Sequence, residues 1–269
     1  MEFLEILPAW SLYLLAGVMG AILGSFANVC IWRIPRGESI VWPPSHCPLC
    51  GRRLRWWENV PAISYAFLRG RCRSCRGAIS VRYPIVELLM AGLGVLAWWH
   101  FGEPLRFFVY LCLFVLPMVI VSGIDLKHMI IPDSISLPGI PVGFLAHLML
   151  DGGPGRYLWT ALDSVLGIVV GGGALYLVAL AYEKLRKQEG LGGGDVKLIA
   201  MMGAFFGWKA ALLILLMSSF LGSIVGLAVM VVRRKDLKYC FPFGPFLAAA
   251  GVIYLFFGSR IINWYLGIF

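Results

Sequence analysis

Two aspartates in this chain sit where carboxylates are costly. Asp195 follows Gly192-Gly193-Gly194 and precedes Val196-Lys197, at the point where a polar loop turns back into an apolar run. Asp125 closes another apolar run, in Gly123-Ile124-Asp125-Leu126-Lys127-His128-Met129-Ile130-Ile131-Pro132-Asp133. A carboxylate at the margin of hydrocarbon marks a functional site by default. Two of them brought together from distant segments share one proton, so that one acts as base and the other as acid. That pairing is the chemistry of aspartic proteolysis.

Four cysteines form a second constellation, Cys47-Pro48-Leu49-Cys50 and Cys72-Arg73-Ser74-Cys75. Two C-x2-C knuckles place four thiolates around one Zn2+, a closed site that suits a structural metal. A catalytic zinc needs an open position, which four sulfurs do not leave. His46 beside Cys47 is therefore not expected as a ligand. Cys30, Cys112 and Cys240 lie in or beside apolar runs and read as small core residues.

The elements that carry these residues follow from composition. Of 269 residues, 60% are hydrophobic and only 14% charged, with a mean hydropathy of +0.83. Apolar runs fall at about 8–31, 85–101, 105–124, 134–150, 157–182, 196–206, 208–232 and 242–266, several of them near the roughly 20 residues that span a bilayer. The expected fold is an all-α polytopic membrane protein of about eight transmembrane helices, with seven as the fallback because the sixth run is short. A barrel would alternate in short segments, and these runs are continuous. The acidic start Met1-Glu2-Phe3-Leu4-Glu5 lacks the basic region of a signal peptide, so the first run reads as a retained helix. The expected organisation is a first transmembrane helix at 1–31, a cytoplasmic tetracysteine zinc domain at 32–84 and a transmembrane core at 85–269.

Basic residues set the orientation. With 32–84 placed in the cytoplasm, its ten arginines share that side with Lys127, with four basic residues between 183 and 197, and with four between 233 and 238. The other side keeps only Arg106, Arg156, Lys209 and Arg260. That is a strong positive-inside bias, and it puts Asp125 and Asp195 at one face. The net charge of +9 thus reflects topology, with membrane lipids rather than nucleic acid as the partner. Reducing conditions on that side also disfavour disulfides between the knuckles.

Other polar residues have local readings. Asp133 after Pro132 suits a helix N-cap, favoured over a direct catalytic role. Glu87 suits the first turn of the second helix, and Glu58 can pair with one of many arginines. Asn28 in Gly24-Ser25-Phe26-Ala27-Asn28, among small residues, reads as a helix–helix hydrogen bonder or part of a polar site, with packing favoured. His128 reads as interfacial and Asp163 as structural. Lys197 either favours the charged form of Asp195 or snorkels to the interface. Phe241-Pro242-Phe243-Gly244-Pro245-Phe246 either lines the site or starts the last helix. The glycines before Asp195 are a linker or a place where backbone comes close; they lack the spacing of a nucleotide fingerprint.

Taken in order, these motifs resemble the type IV prepilin peptidases, the prepilin leader peptidase/N-methyltransferases of the GxGD aspartic protease class. The likeness runs over nearly the whole chain. It rests on Gly24-Ser25-Phe26 with Asn28, the cysteine pairs, Glu58-Asn59-Val60-Pro61, Arg82-Tyr83-Pro84 with Glu87, the Asp125–Asp133 stretch, Gly192 to Lys197, and Phe243-Gly244-Pro245-Phe246. The resemblance implies a bifunctional enzyme of the bacterial inner membrane that cuts the basic leader from prepilins or pseudopilins at the cytoplasmic face. It also implies methylation of the new N-terminal residue with S-adenosylmethionine. Asp125 and Asp195 match the catalytic aspartates, and the tetracysteine segment matches the domain tied to methyl transfer. No soluble methyltransferase fold fits into 32–84, so Glu58, Glu87 and the glycines near Gly92 are candidates for a donor pocket shared with the membrane helices.

The rival reading is a transporter that uses Asp125 and Asp195 as coupling carboxylates. Transporters place such acids near the midplane, often in repeated halves. The sequence shows no repeat, and both aspartates fall at one interface. A zinc-bearing scaffold without catalysis leaves the two aspartates without a purpose.

Overall fold

The computed structural model describes residues 8–186, 192–233 and 242–267. Hydropathy decides most of it. Seven helices are long and apolar enough to cross a membrane. They are α1 (Ala9–Arg33), α2 (Arg82–Phe101), α3 (Pro104–His128), α4 (Asp133–Asp151), α5 (Tyr157–Arg186), α6 (Gly193–Arg233) and α7 (Gly244–Leu266). The eight apolar runs are all present, because α6 contains two of them. At Gly207 its backbone leaves helical geometry, with φ 81° and ψ 179°. The limbs 193–206 and 208–233 are therefore separate helices in all but hydrogen-bond bookkeeping. The chain is a multi-pass membrane protein. Among the described residues there is no strand, only isolated bridges between His46 and Arg53 and between Arg71 and Ala78.

The chain divides into two units, Met1–Ile120 and Val121–Phe269, with the boundary inside α3. In the first unit α1 packs along α2. Small residues permit the approach: a Cβ added at Gly24 would stand 2.7 Å from the Glu87 Cα. Asn28 Nδ2 crosses between the helices to the Tyr83 carbonyl at 3.0 Å, the helix–helix role its sequence context predicts. Between α1 and α2 lies the cysteine segment, with little regular structure beyond short turns at Ile34–Arg36, Trp56–Asn59 and Ile63–Phe67. The unit ends in the first part of α3, which carries a π-helical turn at Leu111–Val115.

In the second unit α6 is central. Leu198, Ile199, Met201, Met202, Phe205 and Ile214 on it are fully buried. Gly167 on α5 and Gly203 on α6 meet backbone to backbone, so a side chain at either would collide with the other. Met201 fills the space over Gly139, and Phe205 lies over Gly143, both on α4. Ser164 Oγ donates to the Ala204 carbonyl at 2.8 Å, satisfying a polar group in a dry contact. This packing sets the limb 193–206 among α4, α5 and α7 and fixes where Asp195 projects.

Candidate active site and metal centre

Asp125 lies near the C-terminal end of α3. The helix stops a few residues later, where Met129 adopts a left-handed φ of 54° and its N–H closes on the Asp125 carbonyl at 2.9 Å. Asp195 lies in the first turn of α6, where helix N–H groups have no intrahelical partner. Both side chains are enclosed: Asp125 is 5% exposed and Asp195 9%. Gly194, next to Asp195, and Gly244, against Asp125, both pack on the Ile131 side chain. Asp125 Oδ2 accepts the backbone N–H of Gly244 at 2.9 Å. Asp195 Oδ1 is buried with no hydrogen-bond partner among the described residues. Such an atom calls for a donor that arrives from outside, a water or a peptide group.

Ile131 organises the surroundings of the pair. A Cβ at Gly194 would stand 2.8 Å from the Ile131 Cβ, and one at Gly244 would stand 3.2 Å from the Ile131 Cδ1. Glycine at both positions lets backbone close around this one side chain. The stretch around Gly244 therefore lines the site. Lys197 does not pair with Asp195; its Nζ lies 2.7 and 2.8 Å from the two carboxylate oxygens of Asp133. That contact replaces the expected N-cap. Pro132 is the cap of α4, with no side-chain hydrogen bond to the helix, and Asp133 is its first residue. The tie links the start of α4 to the start of α6.

The cysteines converge. One Sγ from each of Cys47, Cys50, Cys72 and Cys75 lies within 4.8 Å of the others, with Cys47 and Cys75 at 3.9 Å. Sulfurs about 2.3 Å from a tetrahedral zinc lie about 3.8 Å apart, so the cluster fits Zn2+. The two knuckles are built alike. Gly51 N–H bonds to the Cys47 carbonyl and Cys47 N–H to the Arg52 carbonyl; Arg76 N–H bonds to Cys72 and Cys72 N–H to Gly77. Gly51 and Arg76 occupy the same left-handed position, with φ of 70° and 55°. The Cys75 and Ser74 N–H groups pull the Cys72 thiol down to about 6. The Gly77 N–H acts the same way on Cys75, but burial and its neighbouring sulfurs push that thiol up to about 11. His46 turns instead to the Pro44 carbonyl, 3.1 Å from its Nδ1.

Glu58 pairs with Arg52 at 2.5 Å and accepts the Arg55 N–H at 2.8 Å. Burial alone would raise its carboxyl. The Arg55 N–H and the charges of Arg52 and Arg73 outweigh that and hold it below the ordinary glutamate value. Glu87 is not in the first turn of α2, which begins at Arg82; it accepts the Ala62 N–H at 2.7 Å. Gly92 has no neighbour where a Cβ would point. Asp163, on α5, lies 3.5 Å from His147 and against Gly207, which accords with a structural role. Cys30 is buried and Cys112 half-buried; Cys240 lies outside the described residues. The feature that sequence reasoning missed is the Gly244 N–H on Asp125. A backbone donor leaves no side-chain signal, and only the glycine between two prolines hinted at it.

The sequence is similar end to end to curated bacterial enzymes. It is 37% identical to a prepilin leader peptidase/N-methyltransferase of Pseudomonas putida over 96% of this chain and 95% of that protein. The enzyme of the same name from Pseudomonas aeruginosa is 36% identical, over 93% and 91%. That of Legionella pneumophila is 34% identical, over 96% of each chain. Residues 18–101 match the bacterial peptidase A24 N-terminal domain and residues 112–227 the type IV leader peptidase family.

The chain belongs to the type IV leader peptidase family. It is an enzyme, a protease with N-methyltransferase activity. No solved structure matches it. In this type IV leader peptidase the match to the peptidase family takes in Asp125, Asp195 and Gly207, whereas the tetracysteine cluster falls within the N-terminal match.

Proposed function

We propose that this enzyme cuts the basic leader from prepilins or pseudopilins with an Asp125–Asp195 dyad and then methylates the new N-terminus. The observation that carries the reading is the pair itself. Two enclosed carboxyls from distant segments border the Ile131 side chain through their neighbouring glycines, one tethered by Gly244 and the other with an unsatisfied oxygen.

Like charges this close do not both ionise cheaply, so the pair holds one proton. The charged member takes a proton from a water held between them. The water oxygen then bonds to the scissile carbonyl carbon, while the protonated member donates to the carbonyl oxygen. Collapse of the tetrahedral species breaks the C–N bond, and a proton passed from the dyad leaves with the new amine. No covalent enzyme intermediate forms.

In the second activity S-adenosylmethionine would supply the methyl group from its sulfonium sulfur, and the new amine that takes it would give up one proton to water. Cys47, Cys50, Cys72 and Cys75 hold a structural Zn2+ that staples 32–84, a segment too small to bury much core of its own. The protein resides in the inner membrane with the dyad toward the cytoplasm, an orientation that the positive-inside bias supports. An apolar pilin helix, with its basic leader outside the hydrocarbon, reaches the dyad from the bilayer.

The test is to incubate purified enzyme with a prepilin, with and without S-adenosylmethionine, and weigh the products. Loss of the leader, and a gain of one CH2 only with the donor, are expected. Asp125→Asn and Asp195→Asn should each lower cleavage by roughly 10²–10⁴-fold, the range for removing a general acid or base. Full cleavage in either variant refutes the dyad.

A further inference from the structure

A cavity of about 390 Å³ lies within the first unit, between the C-terminal end of α1 and the segment that follows it. We propose that it is the methyl-donor site, with Arg33 holding the carboxylate of S-adenosylmethionine. The proposal rests on the methyltransferase reading above and adds the residues.

Arg33 carries the argument. It lines the cavity and is only 6% exposed. Its Nη1 donates to the Ser39 carbonyl at 2.9 Å and its Nη2 to the Pro43 carbonyl at 2.6 Å. These neutral acceptors satisfy some of its N–H groups but not its charge. No acidic side chain lies within ion-pair distance of it among the described residues. Glu58 is engaged by Arg52, and Glu87 by Ala62 and Ser25. A buried cation without a counter-charge is costly. An anion entering the cavity removes that cost, and a guanidinium suits a carboxylate with its fork of donors.

The rest of the wall has the character of a small-molecule site. Small-molecule sites are concave, mostly apolar and of roughly 300–1,000 Å³, with a few placed polar groups. Here Phe26 and Val29 supply apolar wall, and Ser25, Ser45 and Asn59 supply hydrogen-bonding groups. Ser25 also hydrogen-bonds to the buried carboxyl of Glu87, so a carboxyl stands one side chain behind the wall. The cavity offers a positive group at one place and an acid behind another. That matches a ligand with a carboxylate and a sulfonium better than it matches an anionic phospholipid headgroup.

The test uses the full chain, purified with its zinc, and calorimetric titration with S-adenosylmethionine and with its decarboxylated form. Wild-type protein should bind the decarboxylated compound at least about ten-fold more weakly, the loss of one charged hydrogen-bonded pair. Arg33→Lys should weaken S-adenosylmethionine by a similar factor and abolish the discrimination. Arg33 also holds two carbonyls, so Val29→Trp provides a second variant, which fills the cavity while keeping the guanidinium and should remove binding. Bound zinc and gel filtration report whether each variant is folded. Unchanged donor affinity in both variants, or equal wild-type affinity for the two compounds, overturns the assignment. So does an Arg33→Lys variant that loses only co-purified anionic phospholipid. If wild-type enzyme cleaves the leader yet neither binds the donor nor methylates, the methyltransferase reading itself fails. If it methylates while the variants bind normally, only the site is wrong.

Discussion

The N–H of Gly244 donates to Asp125 Oδ2 at 2.9 Å across 119 positions of sequence. A Cβ at position 244 would stand 2.6 Å from that same oxygen. The start of α7 thus holds one carboxylate by contact that no other residue type allows. Gly244→Ala is expected to displace Asp125 and reduce leader cleavage by roughly 10²-fold, the effect of about 1 Å of misplacement in a catalytic group. Cleavage assays beside thermal unfolding will show activity falling much further than stability.

Gly207 combines a φ of 81° with the Asp163 carboxylate directly against it. An alanine there meets backbone strain of about 1–3 kcal/mol and a side chain in its way. Gly207→Ala should lower the unfolding temperature in detergent. Gly173→Ala, which has open space at its Cβ position, should not.

The tetracysteine cluster should carry one zinc per chain. Cys72→Ser should release it, as elemental analysis will show, because three sulfurs and a hydroxyl bind this metal far more weakly than four thiolates. Zinc uptake displaces thiol protons, so affinity should fall as the pH is lowered. A chelator should leave 32–84 open to protease.

Glu58 gives a pH dependence of known sign. Its folded carboxyl lies below the ordinary value, so it stabilises the fold above the unfolded pKa of about 4.3. That contribution is lost as the pH falls through the folded value. Glu58→Gln should therefore be less stable than wild type at pH 7, and the gap should close at pH values below the ordinary glutamate range. Thermal unfolding of both proteins across that range measures it.

Much of this architecture was legible because its causes are local. The apolar runs announce the helices through hydropathy alone, and even the short sixth run proved to be a distinct limb ended by Gly207. The C-x2-C spacing announces the cysteine cluster because each knuckle closes within a few residues. Asp125 and Asp195 stood out as charges at the ends of apolar runs, and the glycines that adjoin them, Gly244 and Gly194, both pack against Ile131.

What was hidden depends on distance. The Gly244 donor belongs to a backbone and has no signature. Asp133 looked like a cap, and the structure gives it Lys197 instead, a partner 64 positions away. Glu87 was expected in a first turn, but α2 begins at Arg82 and the acid holds the Ala62 N–H. Nothing in the ten arginines of 32–84 distinguished Arg33, which alone among the sites discussed is a cation enclosed without a carboxylate.

The break at Gly207 leaves the limb 193–206 only about 21 Å long at 1.5 Å per residue. Roughly 30 Å of hydrocarbon is more than it can cross. Either lipid tails compress around it or its charged end is drawn below the headgroups, a hydrophobic mismatch in both cases. With the dyad proposed above, bilayer thickness should act as a dial on proteolysis: longer acyl chains would sink Asp195 further from water, and shorter ones would lift it toward the surface.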